Sequence, residues 1–260
     1  MKCEVSEWRN LLCMKVYFYY YIRACIIVSL SWANLCAEEN GDSGKTWVQL
    51  FNGRDLRGWT PKFVGFDLGV NYRNTFIVRD GLLTVCYDKY KEGWHNNIGH
   101  LFYKDEFSHY ILRAEYRFLG DQVRNDPESL MAMSSLILHS QRPETVGKDQ
   151  ERPVSVQARL CAGQRKGYNE LAQVTTDASA TGVDINEQGG DLQQVSQWMS
   201  VEIEVHGGEV IRYKSDGQLI AEYKKPVLTD GSTHDSGAIA LQASSYPVQF
   251  RKIELKVLDQ

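Results

Sequence analysis

The chain has 260 residues, of which 43% are hydrophobic, and it carries 29 Lys or Arg residues against 33 Asp or Glu residues. The formal net charge of −4 leaves no basic surplus, which argues against a nucleic-acid partner. The length suits one large β domain with an N-terminal extension, and no low-complexity linker divides the chain.

The first element predicted in chain order is a secretory signal peptide at residues 1–37. Basic residues at Lys15 and Arg23 precede an apolar run, and small and acidic residues follow it. The run is shorter than the roughly 20 residues of a membrane span, so cleavage after Ala37 is favoured over a retained anchor. We therefore expect a periplasmic or secreted mature domain at residues 38–260, not inserted in the membrane, with 25 basic and 31 acidic groups and a net charge of −6.

Four of the six cysteines lie in the predicted signal peptide, which leaves Cys86 and Cys161 in the mature domain. Two isolated cysteines make no metal-binding motif. Either one disulfide or two separate buried thiols is compatible with this pair, and two thiols is the favoured interpretation. The sequence predicts no metal site and no cofactor.

The mature domain opens with the segment LFNGRDLRGWT, residues 50–60. Asn52-Gly53 is typical of a turn with positive φ, and Trp59 is a large apolar side chain that can fill a core position. The segment could contact a sugar, or it could be a structural clasp that folds the chain back onto a sheet edge. We favour the clasp.

Period-two alternation of apolar and polar residues dominates the rest of the chain, as expected for half-buried strands. The segment YILRAEYRF, residues 110–118, places Leu112 and Tyr116 on an apolar face and Arg113, Glu115 and Arg117 on the opposite face. The segments LILHSQ, VSVQARL and VEIEVH alternate in the same way. Helical periodicity is nearly absent, so the chain is predicted to be all-β.

Turn dipeptides separate the predicted strands at Asp80-Gly81, Gly207-Gly208 and Asp216-Gly217. Many short antiparallel strands at this spacing predict a two-sheet jelly-roll sandwich. Two long loops, at residues 120–133 and about 163–197, are of a length that is usually functional or mobile. The predicted core includes Val156, Leu160, Leu112, Tyr116, Ile203 and Leu241.

The order of these motifs resembles the 3-keto-disaccharide hydrolase domain family, which has a concanavalin-like jelly roll. After the opening LFNGRDLRGW, the resemblance runs from about Trp47 to the C terminus through VRDGLL, GHLFYKDEFSHYILRAEYRF, LILHSQ, KDQERPVSVQARL, WMSVEIEVHGGEVIRY and GAIALQASSYPVQFRKIEL. It implies a carbohydrate or glycoside ligand and cleavage of a 3-keto-glucoside. In that reaction a base removes the proton on carbon 2, the aglycone leaves carbon 1, and water adds back. Paired carboxylates of the ordinary glycosidase type are not required.

Candidate site residues lie on the polar faces of the predicted strands, where planar and aromatic side chains can hold a sugar. His139, Gln157 and Glu115 are the catalytic candidates. We expect His139, Gln157 and Arg159 to converge on one pocket of the concave sheet, whereas a solvated outer face explains Arg113, Glu115 and Arg117 equally well. The substrate-binding candidates are Arg159, Gln141, Arg117, Arg113, His100, Tyr103, Gln242 and Tyr246, with Trp94 and Tyr110 as further aromatic surfaces.

Several positions depart from the family pattern. Gln157 and Ser244 stand where the resemblance implies acids, and Tyr246 stands where it implies a histidine. A glutamine cannot act as a general base, because its amide oxygen is too weakly basic. Two functions therefore stay open: an enzyme whose base has moved to His139, Glu115 or His100, or a carbohydrate-binding domain with a degenerate site. A divalent metal, which the family admits, is not expected here.

Overall fold

The computed structural model describes residues 46–94, 97–120, 132–162, 174–176, 183–185, 196–227 and 232–259. The predicted signal peptide, residues 1–37, lies outside the described residues, and so do most of the two predicted long loops. The described residues belong to one compact unit, Thr46–Gln260. None of their helices has the length and hydropathy that a membrane span requires.

Strands make up nearly all of the regular structure in the described ranges. The strands are β1 (Val48–Gln49), β2 (Trp59–Phe63), β3 (Phe76–Arg79), β4 (Leu82–Val85), β5 (Gly99–Phe107), β6 (His109–Phe118), β7 (Ala132–Ser140), β8 (Val156–Ala162), β9 (Val174–Thr176), β10 (Val183–Ile185), β11 (Met199–His206), β12 (Val210–Ser215), β13 (Gln218–Lys224), β14 (Gly237–Ala243) and β15 (Val248–Val257). Two one-turn 3-10 helices lie at Tyr72–Asn74 and Pro143–Thr145. The all-β prediction is confirmed.

The strands form two antiparallel sheets. Sheet A has nine strands within the described residues, in the order β10-β13-β12-β11-β6-β15-β4-β3, with β1 also paired to β15. Sheet B has six, in the order β2-β5-β14-β7-β8-β9. Several consecutive strands are neighbours, whereas β5 and β6 follow each other along the chain but belong to different sheets. The predicted two-sheet sandwich is confirmed.

The apolar faces of the two sheets meet in one core, as period-two alternation requires. Sheet A contributes Leu112 and Tyr116 from β6 together with Ile203 from β11. Sheet B contributes residues from its central strands, among them Leu160 and Leu241. All six predicted core residues, including Val156, are buried, so the predicted core is confirmed.

The predicted turns connect neighbouring strands of sheet A. Asp80 and Gly81, between β3 and β4, have φ values of 52° and 77°. Asp216 and Gly217, between β12 and β13, have φ values of 46° and 81°. Two consecutive positive φ values are the signature of the tight hairpin turn, which glycine adopts without a steric penalty.

The opening segment is held by contacts within the chain. The Asn52 Oδ1 atom accepts hydrogen bonds from the backbone N–H groups of Arg54, at 2.8 Å, and Asp55, at 3.0 Å. The buried Trp59 ring donates from Nε1 to the Leu50 carbonyl at 2.9 Å. The Leu50 N–H in turn donates to the Ile253 carbonyl of β15 at 2.8 Å. These contacts support the clasp interpretation.

Candidate functional site

The outer face of sheet B, which points away from the core, has both apolar and polar parts. Ile137 lies on this face, because its neighbours Leu136 and Leu138 point into the core. It belongs to a second small apolar cluster with Phe102, Val146, Ala238 and Ala240. Gln157 lies opposite Ile137 in the pairing of β7 with β8, and therefore shares the outer face.

Strand register brings polar side chains from five strands of sheet B into one line on this face. Lys62 of β2 pairs with His100 of β5, and His100 pairs with Gln242 of β14. Gln242 pairs with Ser135 of β7, which pairs with Arg159 of β8. Directly paired residues have Cβ atoms about 4.5–5.5 Å apart. We call these five residues the polar row; Gln157 lies beside it, two positions from Arg159.

Burial is unusual for such polar groups. The exposed fractions of His100, Gln242 and Gln157 are 3%, 7% and 4%. His100 Nε2, Gln242 Oε1 and Gln157 Nε2 have no hydrogen-bond partner among the described residues, whereas Gln242 Nε2 donates to Ser244 Oγ at 3.1 Å. Buried polar atoms are normally paired, so three unpaired ones on one face are unusual and make this face the candidate site.

A segment that leaves β7 and returns to β8 lies over part of this face. We call residues 141–154 the cover segment. Gln141 Oε1 accepts hydrogen bonds from the Val154 N–H, at 2.8 Å, and from Gln150 Nε2, at 3.0 Å. Val146 packs into the apolar cluster of the outer face. Gln141, predicted to bind substrate, therefore braces the cover segment internally.

The electrostatic environment of His100 keeps its imidazole neutral. Burial lowers the pKa of His100 most, and the nearby positive charges of Arg152 and Lys62 lower it further, to about 3. Arg152 belongs to the cover segment and Lys62 to the polar row. At neutral pH the ring has one N–H group and one free lone pair, so it can act as either a donor or an acceptor.

The expected convergence of His139 with Gln157 and Arg159 is wrong. His139 is buried at the end of β7, where its ring lies 6.0 Å from the ring of the core residue Tyr110. Its Nδ1 atom donates to the His234 carbonyl at 2.8 Å. The pairing of β7 with β14 shifts register near this position, and His139 has a φ of 46°, so the alternation that would have placed it outward is interrupted.

Glu115, Arg113 and Arg117 lie on the outer face of sheet A, apart from the polar row, as the solvated-face interpretation of the sequence expected. Arg113 Nε donates to Glu202 Oε2 at 2.7 Å, and Arg251 Nε donates to Glu115 Oε2. Arg117 donates to Gln249 Oε1 at 2.8 Å. The alternation that buries Tyr110 and its partners sends these three charges to the opposite side of the sandwich, where they are ion-paired or hydrogen-bonded.

The aromatic candidates lie on the core side. Tyr103 packs against the core with its ring centroid 5.1 Å from that of Trp59. Tyr246 also packs against the core, 6.5 Å from the ring of Phe118. Trp94 and Tyr110 are buried core members. They therefore do not lie on the outer face with the polar row, because alternation in β5 and β6 turns Tyr103 and Tyr110 inward.

Three residues of the site were not identified from the sequence. The outward position of Lys62 could have been predicted, because apolar and polar residues alternate in WTPKF and Trp59 and Phe63 belong to the core. The same alternation in β7 could have predicted the outward position of Ser135. No sequence pattern could have predicted the position of Arg152 near His100, because it depends on the path of the cover segment.

The polar row does not fit a divalent metal ion. It offers one imidazole, one amide and one hydroxyl beside two cationic side chains, whereas such ions prefer carboxylates or several imidazoles. Within the described ranges, no group of three or more His, Cys, Asp or Glu side chains could hold a metal ion. Cys86 is a free, buried thiol whose pKa is raised by burial; the Cys161 side chain lies outside the described residues.

Solved structures share the fold at low sequence identity. Two crystal structures of candidate glycosyl hydrolases from Parabacteroides distasonis have TM-scores of 0.54 and 0.53. The first is 12% identical and the second 16%; each covers 82% of this chain, and the alignments cover 94% and 100% of the respective structures. A Bacillus subtilis protein of unknown function with a galectin-like fold has a TM-score of 0.50 at 12% identity, covering 82% of this chain and 96% of its own.

No curated protein matches the chain significantly in sequence. A family model does match, and it covers residues 46–256, which include the clasp, both sheets and the polar row. The chain therefore belongs to the 3-keto-alpha-glucoside-1,2-lyase-like domain family.

Proposed function

We propose that the outer face of sheet B binds a 3-keto-glycoside and cleaves it, with His100 as the proton acceptor. One observation carries this proposal: His100 Nε2, Gln242 Oε1 and Gln157 Nε2 are buried on one face without partners among the described residues. A glycoside presents hydroxyl and carbonyl groups that would pair with such atoms.

The proposed chemistry needs one base and stabilisation of one negative charge. A keto group at carbon 3 acidifies the hydrogen on carbon 2. His100 Nε2 takes that proton, and the C2–H electron pair moves into an enolate on the carbon 3 oxygen. The enolate then expels the aglycone from carbon 1, and the aglycone oxygen takes up the proton from the His100 imidazolium, which restores the neutral base. Water can afterwards add across the new double bond, so that the overall result is hydrolysis.

The charges around the row favour the enolate. Arg152 is close enough to lower the pKa of His100. A positive charge close to a developing oxyanion stabilises it. The same charge disfavours imidazolium before a substrate binds, but proton transfer would create imidazolium and enolate together, as an ion pair. Only the neutral imidazole can accept the proton, and His100 is neutral at pH 7.

A binding-only role is the second candidate function, and one specific observation favours it. The polar row contains no carboxylate, and a histidine with a pKa of about 3 is a weak base. The same unpaired donors and acceptors would hold a glycoside without reacting with it. Binding and cleavage therefore have to be measured separately.

The test uses purified protein and 4-nitrophenyl 3-keto-α-glucoside, with binding followed by calorimetry and cleavage by release of 4-nitrophenol. His100→Gln should retain binding and reduce the release rate by about 10² to 10⁴, the usual contribution of a general base. His109→Gln, at the start of β6 in sheet A, is the matched control and should cleave at the wild-type rate. Binding without release by the wild type would support the binding-only role, and absence of binding would reject both functions.

A further inference from the structure

Lys62 has a buried ammonium group with an unusual set of partners. The residue is 4% exposed. Its Nζ atom donates to the carbonyls of Phe63 and Phe66, both at 3.0 Å, and of Lys148 at 3.2 Å. An ammonium group has three N–H donors and no acceptor, so these three carbonyls use its full capacity. Lys62 cannot donate to a sugar without releasing one of them.

The three carbonyls belong to two separate parts of the chain. Phe63 and Phe66 lie at the end of β2 and in the turn after it. Lys148 lies in the cover segment, 86 positions after Lys62 in the chain. The Lys148 carbonyl also accepts a hydrogen bond from the Gly65 N–H at 2.8 Å. Together these bonds join the edge of sheet B to the segment that overlies its outer face.

The position of this junction matters for His100. Lys62 pairs with His100 across β2 and β5. Arg152 follows Lys148 by four residues, and its carbonyl accepts a hydrogen bond from Gln150 Nε2 at 2.8 Å. The cover segment is therefore braced internally by Gln150 and attached to the sheet by Lys62. Both contacts restrict the path of the backbone at Arg152.

Stability alone does not explain a lysine at this place. Burial lowers the pKa of Lys62, although the charges of Asp149 and Asp67 partly offset that effect. No carboxylate hydrogen-bonds the ammonium among the described residues, and a buried cation without such a partner costs more free energy than a methionine of similar length. A functional role would account for the buried positive charge of Lys62.

We propose that Lys62 is a positioning residue that holds the cover segment against the outer face of sheet B, so that Arg152 stands beside His100. The clamp itself is independent of the ligand, but its purpose rests on the proposed function of that face. Lys62 acts on the ligand through Arg152 and does not contact it. Loss of the clamp should free the cover segment and weaken ligand binding.

The test compares Lys62→Met, Arg152→Met and the double variant in the full mature domain. Each single variant should weaken binding of 4-nitrophenyl 3-keto-α-glucoside by at least about tenfold, since hydrogen bonds to charged groups are among the stronger ones. The double variant should bind no more weakly than the weaker single variant, because two residues acting through one contact are not additive. Lys104→Met, an exposed lysine of the adjacent β5, is the matched control and should bind normally.

A second measurement needs no ligand. Hydrogen exchange at the Gly65 amide, which donates to Lys148, should be at least about tenfold faster in Lys62→Met than in the wild type and in Lys104→Met. Additive losses of binding, or unchanged Gly65 exchange, would overturn the proposal. If the wild type does not bind the glycoside, the proposed function fails, and Gly65 exchange still decides whether the clamp exists. Where Lys62→Met does not fold, the same measurements on Lys62→Gln decide, because glutamine is neutral and too short to span all three carbonyls.

Discussion

The outer faces of the two sheets differ in how their polar side chains are paired and in how far they are exposed to solvent. On sheet A the charges are partly exposed and paired across strands: Arg113 with Glu202, and Arg212 with both Glu204 and Glu222. On sheet B the polar groups are buried, and His100, Gln242 and Gln157 each have a polar atom without a partner in the described part of the chain.

This difference separates a structural polar face from a candidate binding face. The charged side chains of sheet A pair with one another, so they do not need a ligand to satisfy them. The buried amides and imidazole of sheet B are costly unless something else pairs with them. Richness in arginine and glutamate, which drew attention to sheet A in the sequence, is therefore a poorer guide to the site than burial without pairing.

The largest expected effect comes from the core that supports both faces. Leu160 is fully buried beneath the polar row. Leu160→Ala should lower the free energy of unfolding by about 2–5 kcal/mol, because it removes buried methyl groups and leaves a cavity. Urea denaturation measures this, with Leu219→Ala as a control, because Leu219 is 47% exposed and its loss should stay within about 0.5 kcal/mol. A loss below about 1 kcal/mol for Leu160→Ala would contradict the described core.

The pH dependence of stability should distinguish the two faces. The pKa of His100 is about 3 in the folded chain, against an ordinary value of 6.5. Its contribution to the free energy of unfolding is therefore fully present above pH 6.5 and is lost as the pH falls towards 3. His139, whose pKa is also lowered by burial, acts in the same direction. One such group should lower the free energy of unfolding by about 1 kcal/mol between pH 6.5 and 5.5.

Carboxylates of sheet A should act only at lower pH. Burial raises the pKa of Glu202, but hydrogen bonds from Lys214 and Arg113 outweigh it and leave the pKa below the ordinary 4.5. Its contribution is therefore present above pH 4.5 and lost below. Denaturation curves from pH 8 to 4 should show the histidine effect first, and His100→Gln should flatten its slope. A wild-type stability that is constant down to pH 5 would contradict the assignment.

The smallest effect is expected on sheet A itself. The side chains of Arg113 and Glu202 are 43% and 21% exposed, so solvent screens their attraction. A double-mutant cycle of Arg113→Ala and Glu202→Ala should give a coupling of about 0.2–1 kcal/mol that decreases in 1 M salt. Glycoside binding should be unchanged in both single variants. A change in glycoside binding in either variant would instead indicate that Arg113 or Glu202 contributes to the binding site.

The fold could be predicted from the sequence because its determinants are local. Alternation in β6 and β11 assigned the core face correctly, and turn dipeptides such as Asp80-Gly81 located the hairpins. These patterns depend only on neighbours in the chain. The number and spacing of the short strands predicted the two-sheet sandwich, and the family motifs agreed with it.

The site was harder to predict because it depends on which strands become neighbours. Gln157 and Arg159 were placed correctly on an outward face, and His100 and Gln242 were named as candidates. Alternation cannot tell sheet B from sheet A, however, so Arg113 looked equivalent to Arg159. His139 was misplaced by a single register shift, which no periodic pattern reveals. Arg152 reaches the site by tertiary folding of the cover segment alone.

The clasp at the start of the domain has a consequence for chemical ageing. Asparagine followed by glycine is prone to deamidation, in which the glycine nitrogen attacks the side-chain amide, and such residues count among the thermolabile ones. In the folded chain the Asn52 oxygen is held by two backbone N–H groups, and its nitrogen donates to Asp55 Oδ1 at 2.7 Å. That fixed amide is poorly placed for attack, whereas the unfolded chain offers no such protection. Aspartate accumulating at position 52 in stored protein would therefore record the time that each molecule has spent unfolded.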